Sequence, residues 1–268
     1  MRHHHGDDHL SRYMVSLLFI GLFGLAANVD AGTIQFTPTD LGKTPWSTVL
    51  DEDRTFETFA EHVNSSYALP VNIALVVAPC AKINAFYDEE KKTIVFCREL
   101  LEYLYEEAGE LTEESDYDQD AIFVDSVLFT LYHELGHALI DVCDIPITGR
   151  EEDVADQIST WIVLNDVWED DEDGISNALH AAKFFLLTAE EASLDIDDIP
   201  FWDTHSLDQQ RYFNILCWTY GLDPDLTEEV LESDIDDVLD ADRAEFCEDE
   251  YTMMDESLTR LLEQYFKE

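Results

Sequence analysis

"HELGHALIDVCDIPITGREEDVADQ", residues 133–157, is the stretch on which the reading of this chain turns. Upstream of it, "AIFVDSVLFTLYHELGHALIDV" (121–142) carries apolar residues around most of a helical circumference, so a buried central helix is expected. "CDIPITG" (143–149) holds a proline and a glycine that break it. "EEDVADQISTWIVLNDVW" (151–168) then resumes helical spacing, so two helices are expected to lie antiparallel.

On the first helix, His133 and His137 stand one turn apart on one face, because four residues advance it by about 400°. Two imidazoles so placed can both reach a zinc ion, while Glu134 lies off that line, where it can address water as a base. A catalytic zinc needs a third protein ligand. Glu152 is the expected one, with Glu151 and then Asp153 as alternatives. Asp156 follows Glu152 by four residues and faces the same way, placed to accept a hydrogen bond from a ligand histidine. The stretch offers no third histidine, which excludes the three-histidine arrangement.

Outward from this centre, "VNIALVVAPC" (71–80) reads as a buried strand, and "INAFYD" (83–88) with "TIVFC" (93–97) as a hairpin around a charged turn. "RTFETFAEHVNSSYAL" (54–69) and "ELLEYLYEEAGEL" (99–111) have helical period. "EDDEDG" (169–174) reads as a solvated turn, and the remainder is helical in pattern. The fold class expected is therefore α+β. A small N-terminal antiparallel sheet would pack on the histidine helix, followed by a mostly helical half.

Composition bounds the rest. The 268 residues are 46% hydrophobic and 12% aromatic, enough for one packed domain. Sixty-one acids against fourteen bases give a formal charge of −47, which excludes nucleic acid and anionic membrane surfaces as natural partners. Self-repulsion of that size is relieved by salt, so a halophilic source is one reading and an ordinary acidic exported protein the other.

"MVSLLFIGLFGLAA" (14–27) after a weakly basic start reads as the core of an export signal over residues 1–31, with an uncleaved N-terminal anchor as the alternative. Residues 32–268 would then form a single domain, with a sheet lobe over about 50–142 and a helical lobe over about 150–268. A periplasmic or extracellular location follows, where cysteines pair. Cys80 and Cys97 lie close enough for one bridge, Cys217 and Cys247 for a second, leaving Cys143, although sequence alone does not fix the pairing.

HExxH followed by Glu-x-x-Ala-Asp resembles the gluzincin metallopeptidases, the thermolysin group. "NAFY" (Asn84–Tyr87) is similar to the edge strand that holds extended substrate in those enzymes. With "GREEDVADQ" and "HSLDQQRYFNILCWTYG", the combination also resembles a family of exported bacterial metallopeptidases over roughly Val71 to Tyr251. The resemblance implies a peptide or protein substrate, one Zn2+ per chain on His133, His137 and Glu152, and Glu134 as general base. It implies substrate contacts at Asn84, Ala85 and Tyr87. It also calls for a later histidine near the transition state. His205, in "FWDTHSLDQQR", is the candidate for that second catalytic role, with Asp203 or Asp208 to orient it; the alternative is a helix cap. An exported, catalytically inactive, zinc-stabilised scaffold of the same fold is the rival reading of the whole chain.

Overall fold

In the computed structural model, residues 31–112, 118–167, 171–191 and 199–267 are described; the export signal expected before them lies outside the described residues. The described chain runs β1 (Ile34–Thr37), α1 (Pro45–Asp53), α2 (Thr55–Ser66), β2 (Ile73–Ala78), β3 (Ala85–Asp88), β4 (Thr93–Cys97) and α3 (Arg98–Thr112). It continues through α4 (Gln119–Val142), α5 (Glu151–Asn165), α6 (Asp171–Glu191), α7 (Asp208–Leu222), α8 (Pro224–Leu231), α9 (Ala241–Ala244) and α10 (Cys247–Leu262). The architecture is α+β, a small sheet followed by a mostly helical half.

The sheet is mixed rather than antiparallel, with strand order β1-β2-β4-β3. β1 runs parallel to β2, β2 parallel to β4, and only the β3–β4 hairpin is antiparallel. The physical reason lies in two connections. β1 is a short, polar strand hidden in sequence, and the α1–α2 pair forms the crossover that returns the chain parallel to it. After β2, the chain then passes outward before turning, so β4 takes the inner position and β3 becomes the edge. β2, expected to be buried on both faces, instead alternates buried and half-buried residues: Ile73, Leu75 and Val77 point into the core.

Local chemistry sets the helix boundaries. Pro45 occupies the first position of α1 behind a reciprocal cap, in which the Ser47 amide donates to Thr44 Oγ1 and the Thr44 amide to Ser47 Oγ. Asp118 caps α4 by accepting from the Asp120 amide at 2.9 Å. The acids read from sequence as a turn at 169–174 are, from Asp171 onward, the first turn of α6. Carboxylates are favoured there by the positive end of the helix dipole.

The core wraps α4, which buries residues on most of its circumference, including Ile122, Phe123, Val127, Leu131, Leu135 and Leu139. Gly136 sets the approach of α5. A Cβ there would meet the Ala155 backbone at 3.0 Å, so the two helices pack backbone against backbone beside the histidines. Disulfides join Cys80 to Cys97 and Cys217 to Cys247, the second tying α7 to α10, while Cys143 is free and buried. Two such bridges point to an oxidising, exported environment. Among the described residues no helix is long and apolar enough to cross a membrane.

Candidate metal centre

His133 and His137 project from one face of α4, and the first turn of α5 brings Glu152 against them. Glu152 Oε2 lies 3.2 Å from Nε2 of each histidine, and the two Nε2 atoms are 3.2 Å apart. A third imidazole arrives from the loop before α7: His205 Nε2 is 3.0 Å from the same Glu152 oxygen. His133, Glu152 and His205 offer ligand atoms all within 4.8 Å of one another, and His137 adjoins two of them.

The far sides of the rings decide what this convergence means. His133 Nδ1 donates to Asp156 Oδ1 at 2.8 Å, and His137 Nδ1 donates to Glu151 Oε1 at 2.8 Å. With both protons placed on Nδ1, each Nε2 turns a lone pair toward the other and toward a carboxylate. Lone pairs and an anion aimed at one point repel unless a proton or a metal cation lies between them. The donor set, imidazole nitrogen and carboxylate oxygen, fits a divalent transition metal such as zinc. Glu151, an alternative ligand by sequence, thus supports His137 from behind.

In the metal-free chain, protons answer this convergence. Burial opposes charge on His133, but hydrogen bonds to Asp156 and Glu152 outweigh it and raise its pKa to about 9. Burial likewise opposes charge on His137, and the bond to Glu152 again wins. The bond to Glu152 also raises His205. Burial works against an ionised Glu152, yet the three histidines hold its carboxyl far below the usual carboxylate range. Burial pushes Glu134 the other way, upward. Its Oε2 is buried without a hydrogen-bond partner among the described residues, so this carboxylate borders the cleft unspent.

Asp156 does more than orient His133. Arg211 on α7 grips it with two bonds, Nε to Oδ2 at 2.8 Å and Nη2 to Oδ1 at 2.7 Å, and lies 3.8 Å over the Phe185 ring. Burial resists ionising Asp156, but the guanidinium holds it well below its ordinary value. Sequence put Arg211 near His205 without showing this ion pair.

His205 reaches the site because its loop is pinned. Ser206 Oγ donates to Asp153 Oδ1 at 2.6 Å, while Arg150 bonds both Ser206 and the His205 carbonyl. Asp203, not Asp208, faces the ring, 3.3 Å from Nδ1. Asp153, an alternative ligand by sequence, instead bonds Ser206 and Arg150, and no spacing signal marked those two.

The edge strand β3 borders the same cleft. Asn84, Ala85 and Tyr87 line a cavity of about 490 Å³ together with the site residues. The Tyr87 hydroxyl donates to Asp141 at 2.6 Å, one turn beyond His137, and Lys92 pairs with that carboxylate as well. On the other side of Glu134, a cavity of about 170 Å³ is lined by Leu100, Leu104, Phe129, Phe184 and Phe185. His180, by contrast, bonds Asp125 away from the donors, and His62 bonds Tyr132 and Asp166.

A family model described as "Putative metallopeptidase" matches residues 37–262, and the chain belongs to that family. No curated protein and no solved structure matches it.

Proposed function

We propose that the chain is an exported, zinc-dependent peptidase of gluzincin type, working in the periplasm or outside the cell. His133, His137 and Glu152 would hold the metal, with Asp156 and Glu151 fixing the two imidazoles from behind. When bound, zinc supplies a Lewis acid that polarises the scissile carbonyl and makes water more acidic. Glu134 takes the proton from the attacking water and returns it to the leaving amine. Its raised pKa suits a group that must both accept and release a proton near neutral pH. His205, oriented by Asp203, donates to the oxygen on which negative charge develops. Extended peptide lies along the free edge of β3, held by Asn84 and Ala85, with Tyr87 beside it. The apolar cavity next to Phe129 and Phe185 takes one side chain of the substrate.

One observation carries this reading: the Nε2 atoms of two histidines and a Glu152 oxygen lie within 3.2 Å of one another, with the unpartnered oxygen of Glu134 buried in a carboxyl that borders the same cavity. The test pairs metal analysis with turnover. The protein should contain one zinc per chain and cleave unstructured peptides, and a chelator should abolish cleavage until zinc is restored. Glu134→Gln should keep the zinc and lose activity by about 100-fold or more. Full activity in that variant would sink the mechanism.

A second reading draws on the contact between His205 and Glu152, 3.0 Å apart. If His205 is a fourth protein ligand, the centre is closed and the protein is a zinc-stabilised scaffold. His205→Ala separates the two. A transition-state donor would leave zinc bound and lower kcat, whereas a ligand would weaken zinc binding.

A further inference from the structure

The two cavities flanking Glu134 differ in character. Both touch Asn84, Ala85, His133, Glu134 and His205, so a peptide bond at the base has one neighbour in each. The smaller is walled by leucines and phenylalanines, and its one cation, Arg211, is already paired with Asp156. The larger is walled by Tyr87, Ile140, Glu89, Asp141 and Glu151, and among the described residues no lysine or arginine lines it. Lys92 offsets Asp141, but Glu89 is exposed and Glu151 is half-exposed beyond its bond to His137. Glu134, itself deeply buried, borders the same cavity. Around all of this stands a chain of formal charge −47, whose field concentrates cations near clefts of its own sign.

We propose that this larger cavity selects a lysine or arginine side chain adjoining the scissile bond, so that the protein acts on cationic peptides. The inference rests on the peptidase reading and sharpens it by naming the substrate class. A long basic side chain spans from the β3 edge along Tyr87, laying its methylenes on the ring and its charge among Glu89, Glu151 and Asp141. An acidic side chain laid along the same path meets the Glu89 and Glu151 carboxylates instead.

Two measurements test it. Zinc-loaded protein is given a mixed peptide pool, and the cut sites are read by mass spectrometry. Lysine or arginine should be enriched at one fixed position beside the cut, and Glu89→Lys should reduce that enrichment roughly two- to fivefold, the range that an exposed ion pair supplies. In parallel, Glu134→Gln protein is titrated with an arginine peptide and its glutamine counterpart by fluorescence anisotropy. The arginine peptide should bind more tightly, with the gap closing as salt rises. Cleavage without enrichment, or enrichment untouched by Glu89→Lys, overturns this inference and leaves the peptidase reading standing. Charge-selective binding without any cleavage removes the peptidase reading and the placement beside a scissile bond, leaving a cationic-peptide site alone, and the absence of both removes the two together.

Discussion

Two histidine clusters lean on α4, and they differ in where their ring nitrogens point. At His62 every nitrogen is answered: Nε2 donates to the Asp166 carbonyl at 3.0 Å, and Nδ1 accepts from the Tyr132 hydroxyl at 3.0 Å. One residue along from Tyr132, His133 meets Asp156 through Nδ1, while its Nε2 shares one place with His137 Nε2 and Glu152 Oε2, each 3.2 Å away. Both rings are mostly buried and both stand beside carboxylates. The first is a finished hydrogen-bond clamp between α2 and the end of α5. The second gathers three imidazoles around one carboxylate oxygen, an arrangement that a proton or a divalent cation can complete. Burial and a nearby acid are common to both, so they do not mark a metal ligand; the convergence of several ring nitrogens on one carboxylate oxygen is what sets the second cluster apart.

Substitution breaks the comparison most sharply. His137→Ala should lower zinc affinity by more than about 100-fold, beyond what losing an outer partner costs, with the fold retained. His62→Ala should leave zinc content intact and instead lower stability by about 1–3 kcal/mol, since the buried Tyr132 hydroxyl loses its acceptor. Metal analysis and denaturant unfolding on the two variants give the answer. If both lost zinc equally, the distinction between clamp and metal centre would be wrong.

Gly136→Ala comes next. A methyl placed against the Ala155 backbone pushes α5, and with it Glu152, away from the histidines. The expected result is weaker zinc binding, a loss of roughly 1–3 kcal/mol, and no change at the His62 cluster. Isothermal titration with zinc and thermal unfolding of the metal-free form measure both.

The smallest effect is a pH dependence. The folded pKa of His133, about 9, lies above the ordinary 6.5. Its protonation therefore stabilises the metal-free fold fully below about pH 6.5, and that contribution fades as pH rises toward 9. Zinc replaces the proton, so the gap in Tm between zinc-loaded and metal-free protein should widen over that interval. A gap constant from pH 6.5 to 9 would contradict the assignment of raised basicity to His133.

Much of this geometry was legible because it is periodic. The spacing of His133 and His137, and of Glu152 and Asp156, follows directly from the helical repeat, and a short breaker loop leaves two such faces little choice but to meet. The sheet was legible only where pattern was strong: β2 and the β3–β4 hairpin announced themselves by branched aliphatics. β1 has four residues, only Ile34 among them buried, and its absence from the sequence reading hid the parallel pairing. Arg211 to Asp156 and Ser206 to Asp153 join residues more than fifty positions apart. No local period encodes such pairs, and in a chain this rich in acids any arginine has many plausible partners.

The Arg211–Asp156 pair has a consequence for where the chain can be cut. Helix α7 supplies no donor to the cluster, yet a proteolytic fragment ending before it would retain both motif histidines and Glu152 while stranding the Asp156 charge in an apolar interior. Such a fragment would carry the whole signature and still bind metal more weakly, so a competent version of this protein must extend at least through Arg211.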